Sequence, residues 1–144
     1  MKLAKKKVFV SFDYENDRHY KYLLEAWDSN PQFDFCFNDM SSQEIKSSRI
    51  SVVKAALTRK INEATYTIVI VGSEANKEHP DSKEIGYRNW QNYEIAKSKE
   101  NGNYLVGIKI NSLNVAPDEL KSAGAKWALK FELDSILTVL NSFK

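Results

Sequence analysis

The chain has 144 residues, of which 42% are hydrophobic, 12% aromatic and 28% charged, with Gly 5 and Pro 3. That length matches one domain of ~150 residues able to bury its own core, and that composition excludes collagen-like, low-complexity and largely disordered chains. The net charge is +2, but Lys2, Lys5, Lys6 and Lys7 supply four positive charges, so residues 8–144 carry −2. A mildly acidic body with mixed Lys and Glu gives no basic face for nucleic acid. No apolar run reaches the ~18–20 residues needed to cross a bilayer, and the lysine-rich start is followed by no apolar signal core. The single cysteine, Cys36, cannot form an internal disulfide. These features predict one cytoplasmic domain over residues 1–144, with a basic tail at 1–6, and no nucleic-acid or membrane partner.

In chain order, Lys7–Phe12 is β-branched and aromatic and reads as a first strand. Tyr20, Leu23, Leu24 and Trp27 recur at helical spacing, with Asn16 or Asp17 as the cap and Asn30-Pro31 as the stop. Phe33–Asn38 alternates strictly and predicts a second strand with three phenylalanines on one face. Ile50, Val53, Leu57 and Ile61 mark a second helix, capped by Ser47 or Ser48. Thr65–Gly72 is continuously apolar, as a strand buried on both faces must be.

The polar stretch Ser73–Gly86 is long for a connection, as lids and binding loops often are. A helix from about Tyr87 to Glu100 ends at Asn101-Gly102, where Gly102 suits the left-handed position. Tyr104–Ile110 and Lys126–Phe131 read as the fourth and fifth strands. Between them Ala116–Ser122 predicts a short helix with Pro117 in its first turn. Ile136, Leu137, Leu140 and Phe143 line a last helix, capped by Asp134 or Ser135.

This βα alternation predicts an α/β, three-layer, doubly wound, flavodoxin-like fold with a five-stranded parallel sheet in the order 2-1-3-4-5. Ligands of such sheets sit beyond the carboxyl ends of the strands, at the switch point between strands 1 and 3. Several chemistries fail there. The chain has no GxGxxG and no P-loop. Asp13, Glu15 and Asp17 follow strand 1, where a flavodoxin would need a phosphate cradle; they read equally as a solvated turn and helix cap. A phospho-receiver needs an aspartate at the end of strand 3, where this chain has Gly72-Ser73. His19 and His79 show no ligand spacing with Cys36, so no metal site is expected.

The most informative segment is Trp90-Gln91-Asn92-Tyr93-Glu94. At ~100° per residue, Trp90 and Glu94 fall about 40° apart on one helical face. They lie early in the helix after strand 3, so an indole and a carboxylate point together near the ligand edge. The same spacing also suits a core tryptophan with a solvated glutamate one turn along.

Three stretches resemble a bacterial TIR-like domain, most closely the TIR-like subunit of the Thoeris anti-phage defence system. They are Val8–Phe12, Ile68–Ser73, and Trp90-x-x-Tyr93-Glu94-Ile95-x-Lys97-Ser98 followed by Gly102 and Val106-Gly107-Ile108. The resemblance covers roughly residues 7 to 111. It implies an NAD+-cleaving enzyme of the glycohydrolase or ADP-ribosyl cyclase type, with Glu94 catalytic and Trp90 one turn before it. It implies a pocket lined by Ser11, Phe12, Asp13 and Tyr14, with the loop Asn38–Arg49, including Asp39, and Ser73 flanking the nucleotide. NAD+ would be the substrate, with no cofactor. The product would be a cyclic ADP-ribose isomer or related conjugate sensed by a separate effector protein, and self-association is a further expectation. The loop after strand 2 lacks the Arg-Asp…Pro-Gly motif of receptor and adaptor TIR domains, and their late Phe-Trp motif is missing. The alternative reading is a non-catalytic TIR-like module acting by self-association or partner binding.

Overall fold

The computed structural model describes residues 6–30, 34–37, 45 and 47–143. Among them five strands, β1 (Lys6–Ser11), β2 (Phe35–Phe37), β3 (Tyr66–Val71), β4 (Tyr104–Lys109) and β5 (Lys126–Ala128), form one parallel sheet in the order β2-β1-β3-β4-β5. The helices are α1 (Tyr14–Asp28), α2 (Ile50–Asn62), α3 (Ser82–Ile85), α4 (Trp90–Glu100) and α5 (Leu133–Asn141), with a 3₁₀ turn at Asp118–Leu120. Both the α/β class and the predicted strand order hold.

The two faces of the sheet separate by the period-2 rule. Val8 and Val10 of β1, Ile68 and Ile70 of β3, and Val106 and Ile108 of β4 meet Leu24 of α1 and Ile136 and Leu140 of α5. Phe9 faces the other way and packs with Val53, Leu57 and Ile61 of α2. Val69 and Val71 pack with Ile95 of α4 and Leu105. All six residues of β3 are buried, as its unbroken apolar run requires. At its four aliphatic residues, Ile68 to Val71, exposure is 0%, and each such side chain contributes ~1.5–3 kcal/mol relative to an exposed one.

Several boundaries differ from the sequence reading. Asp13, rather than Asn16 or Asp17, caps α1, and its carboxylate accepts from the Glu15 backbone N–H. The strand-to-helix link is only Phe12-Asp13, so the cap falls at the strand's very end. On α1 the buried stripe excludes Leu23, which is 45% exposed. Arg49 occupies the cap position of α2 without a side-chain cap, and Ser47 Oγ accepts from the Arg49 N–H. Glu132, not Asp134 or Ser135, occupies that position on α5, again without a side-chain cap. Helix α4 starts at Trp90 because Asn89, in extended backbone, caps it. The expected helix at 116–122 is a single 3₁₀ turn, with Pro117 at its cap position.

Strand β5 ends at Ala128, and Leu129 beyond it is 90% exposed. Phe131 folds back to stack on Trp27, with centroids 5.6 Å apart. Phe35 and Phe37 of β2 are both buried, Cys36 between them is half-buried, and Phe33 lies outside the described residues. Among the described residues no helix is long and apolar enough to cross a membrane.

Candidate active site

Two polypeptide ends converge where β1 and β3 stop. The ladder between them closes with Ser11 opposite Val69. The chain then leaves β1 through Phe12 and enters α1, while β3 passes through Gly72 into the long connection 73–89. Helix α4 starts on the far side of that connection and lays its first turns across both strand ends.

Helix α4 is unusual in composition. Gln91, Asn92, Tyr93, Glu94, Ile95 and Ala96 are all buried, so polar side chains enter the interior beside apolar ones. Buried polar groups need partners, and here each finds them. The Ser11 hydroxyl donates to Glu94 Oε1 at 2.7 Å. The Gln91 amide nitrogen donates to the Ile70 carbonyl at 3.0 Å and the Ser11 carbonyl at 3.3 Å. Asn89 accepts the Asn92 N–H at 2.9 Å and donates to the Ala75 and Lys77 carbonyls. Asn92 accepts from the Glu119 N–H and donates to Asn76. The amides thus fasten the 73–89 connection and the 3₁₀ turn to the start of α4.

Glu94 is 3% exposed. Burial raises its pKa to about 8, against the smaller opposing effect of the Ser11 hydrogen bond. Burial thus favours the neutral acid form of this side chain.

Glu94 opens onto a cleft of about 830 Å³, within the ~300–1,000 Å³ range of small-molecule and cofactor sites. Phe12, Asp13 and Tyr14 line it from the end of β1, Trp90 and Gln91 from α4, and Ile50 and Val53 from α2. Lys77 and His79 reach it from the 73–89 connection, where Glu74, Glu78 and Asp81 add carboxylates. Trp90 is half-buried and meets Tyr93 edge-on, centroids 5.6 Å apart at 82°.

Of the residues singled out in the sequence, Phe12, Asp13, Tyr14, Trp90 and Glu94 line this one cleft, and Ser11 supports Glu94 from behind. Glu94 is buried rather than a solvated glutamate one turn past a core tryptophan. Ser73 is exposed and lies outside the lining, where its neighbour Glu74 takes part instead. Asp39 lies outside the described residues, as does most of the Asn38–Arg49 loop; Ser47 and Ser48 from its end reach the cleft. The acidic turn is not uniformly solvated. Asp13 caps α1 and Glu15 is exposed, but Asp17 is buried, and Oδ2 has no hydrogen-bond partner among the described residues. Desolvation, then repulsion from Asp13, lifts its pKa to about 6, against a smaller opposing pull from His19.

Sequence reading missed Gln91, Asn89, Asn92, Lys77 and His79. One signal was available for the amides. Asn89, Gln91 and Asn92 crowd the start of a helix with no apolar stripe, which marks polar side chains going inward.

The family described as "Thoeris protein ThsB, TIR-like domain" matches residues 9–115. A protein of Bacillus cereus (strain MSX-D12) named "Putative cyclic ADP-D-ribose synthase ThsB1" is 28% identical over 123 residues, which are 83% of this chain and 59% of that protein. The chain thus spans about three fifths of this relative's length. Among solved structures, a 2-desoxiribosyltransferase from Leishmania mexicana superposes with a TM-score of 0.53 at 11% identity, over 74% of this chain and 65% of that one. At that identity the likeness is one of fold alone.

Proposed function

The chain belongs to the TIR-like domain family of the Thoeris protein ThsB, and on that premise we propose that it cleaves the N-glycosidic bond of NAD+. The observation that carries this reading is the buried Glu94, held by Ser11 and facing the cleft between Phe12, Tyr14 and Trp90. The product proposed is a cyclic ADP-ribose-type or related nucleotide signal. A cyclic ADP-ribose product is in keeping with the name of the Bacillus cereus relative, and the signal would act through a separate effector protein in anti-phage defence.

The chemistry suits a single carboxylate. Nicotinamide is cationic at its glycosidic nitrogen and leaves as a neutral base, so no general acid is needed. As the C1′–N bond breaks, positive charge moves onto C1′ and the ring oxygen of the ribose. A carboxylate in a dry site stabilises such charge far better than one in water. Glu94 waits in its neutral form, and binding of the cationic substrate favours its ionisation, with its proton released to solvent. The aromatic faces of Trp90, Phe12 and Tyr14 suit a flat ring. Closure to a cyclic product then joins C1′ to a nucleophilic atom of the same molecule, with release of one proton to solvent. It prevails over hydrolysis to the extent that the cleft keeps water from C1′.

The test compares the protein and its Glu94→Gln variant with NAD+ at low and high protein concentration, resolving products by mass. Nicotinamide release by the wild type alone is expected, with a co-product of ADP-ribose mass or one water lighter. Equal turnover by the variant would overturn the assignment of Glu94, and silence from both, including in lysate of phage-infected cells, would favour a binding module.

A further inference from the structure

Gln91 holds an orientation that its amide cannot reverse. Both protons of its nitrogen go to backbone carbonyl oxygens, those of Ile70 and Ser11. A flipped amide would set its own oxygen against two other acceptors. The strand ladder ends at the Ser11–Val69 pair, so this side chain ties the two strand ends together just beyond the last rung. Gln91 also lines the cleft. With its nitrogen turned to the sheet, Oε1 is the polar atom left for a ligand, and among the described residues nothing donates to it.

Glu94 stands three residues on, and side chains at i and i+3 are neighbours on a helix, ~5–6 Å apart at Cβ. Both converge on one residue, Gln91 on the Ser11 carbonyl and Glu94 on the Ser11 hydroxyl. With Glu94 ionised, as a cationic ligand favours, two oxygen acceptors stand side by side and fit a ligand with two adjacent donors, and the cis-diol of a ribose is such a group.

We infer that Gln91 is a specificity-determining residue whose Oε1 accepts a hydrogen bond from a hydroxyl of the ribose held beside Glu94. This inference rests on the proposed NAD+ reading.

The experiment pairs substrate analogues with variants. The ligands are NAD+ and its analogues lacking the 2′- or the 3′-hydroxyl on the nicotinamide ribose, with the 3-acetylpyridine analogue as a control for the carboxamide. The proteins are wild type, Gln91→Met, which removes both the tie and the acceptor, and Gln91→Glu, which weakens the tie but keeps an acceptor. Preference is read as a ratio of kcat/KM where the protein cleaves NAD+, and of Kd where it binds without cleaving. Comparing variants cancels the intrinsic reactivity of each analogue.

The preference of wild type for NAD+ over one deoxy analogue is expected to exceed that of Gln91→Met by roughly tenfold, one hydrogen bond's worth. Gln91→Met should lose that margin and Gln91→Glu should keep it. The same preference in wild type and Gln91→Met, or an equal loss for every ligand in both variants, would overturn the inference and leave Gln91 a structural tie. Loss of discrimination against the acetylpyridine analogue alone would overturn the ribose assignment in favour of the carboxamide. Binding without cleavage would overturn the proposed function while leaving the Gln91 comparison readable, and no binding of NAD+ would overturn both.

Discussion

Ser11 and Glu94 are 83 residues apart in sequence, and their side chains meet at 2.7 Å. One ends β1, the other lies in the second turn of α4, and the hydroxyl donates to a carboxyl that is almost wholly buried. Burial raises the pKa of Glu94 and this hydrogen bond lowers it. Ser11→Ala therefore removes the opposing effect and pushes Glu94 further up. The expected result is an alkaline displacement of the Glu94 carboxyl titration, read by carbon NMR against wild type. A matching displacement is expected in the pH profile of NAD+ cleavage. An unmoved titration would mean that the hydroxyl does not govern the carboxyl.

Gly72 and Asp17 form the second close relationship at this edge. A Cβ at position 72 would fall within the Asp17 carboxylate. Asp17 is held by α1 and is already buried with one unpartnered oxygen among the described residues, so it has little room to yield. Gly72→Ala is expected to cost ~1–3 kcal/mol, as overpacking does. Adding Asp17→Ala should recover most of that loss. Denaturant melts of the two single variants and the double variant give the coupling directly, and strict additivity would contradict the steric account.

The pattern of strands was legible because each is a short apolar run, and β3 is unbroken enough to require cover on both faces. The helix starts were less legible. Asp13 caps α1 from a link of only two residues after β1, and a propensity argument that runs the strand through Phe12 looks for the cap further along, at Asn16 or Asp17. The Trp90–Glu94 face could be read from spacing alone. The Ser11 contact could not, since it depends on two strands and a helix meeting. Gln91 was the least legible residue of the site. An amide has no period and no charge, and its role appears only when the carbonyls it meets are known.

Asn89 joins the connection to the helix. It caps α4 by accepting from Asn92 N–H and holds the Ala75 and Lys77 carbonyls with its amide. Asn89→Ala removes a cap worth ~1 kcal/mol and unfastens the segment that carries Lys77 and His79 into the cleft. The expected outcome is a loss of about 1–2 kcal/mol in global stability with a larger local effect. Amide hydrogen exchange should accelerate over residues 74–80 and stay near wild type in β3. Asn89→Asp keeps the acceptor and loses the two donors, so it should restore the cap but not the exchange protection. Full protection in that variant would show that the two carbonyl contacts do not hold the connection.

Glu94 also links stability to pH, and the direction follows from its raised pKa. An ordinary glutamate has pKa 4.5, and here it is about 8. Between those values the folded protein holds a proton that the unfolded chain has released, so stability falls as pH rises through this window and levels above it. Asp17, raised from 3.8 to about 6, adds the same sign over a lower window. Carboxylates held ionised in the folded state act the other way, and Asp118, lowered by hydrogen bonds from Asn76 and Arg88, is one. The Glu94 contribution is isolated by difference. The gap in unfolding free energy between Glu94→Gln and wild type should move in favour of the variant by a few kcal/mol, ~4 at most, from pH 5 to pH 8. A gap that stays constant across that range would show that Glu94 ionises in the folded protein as easily as in the unfolded chain.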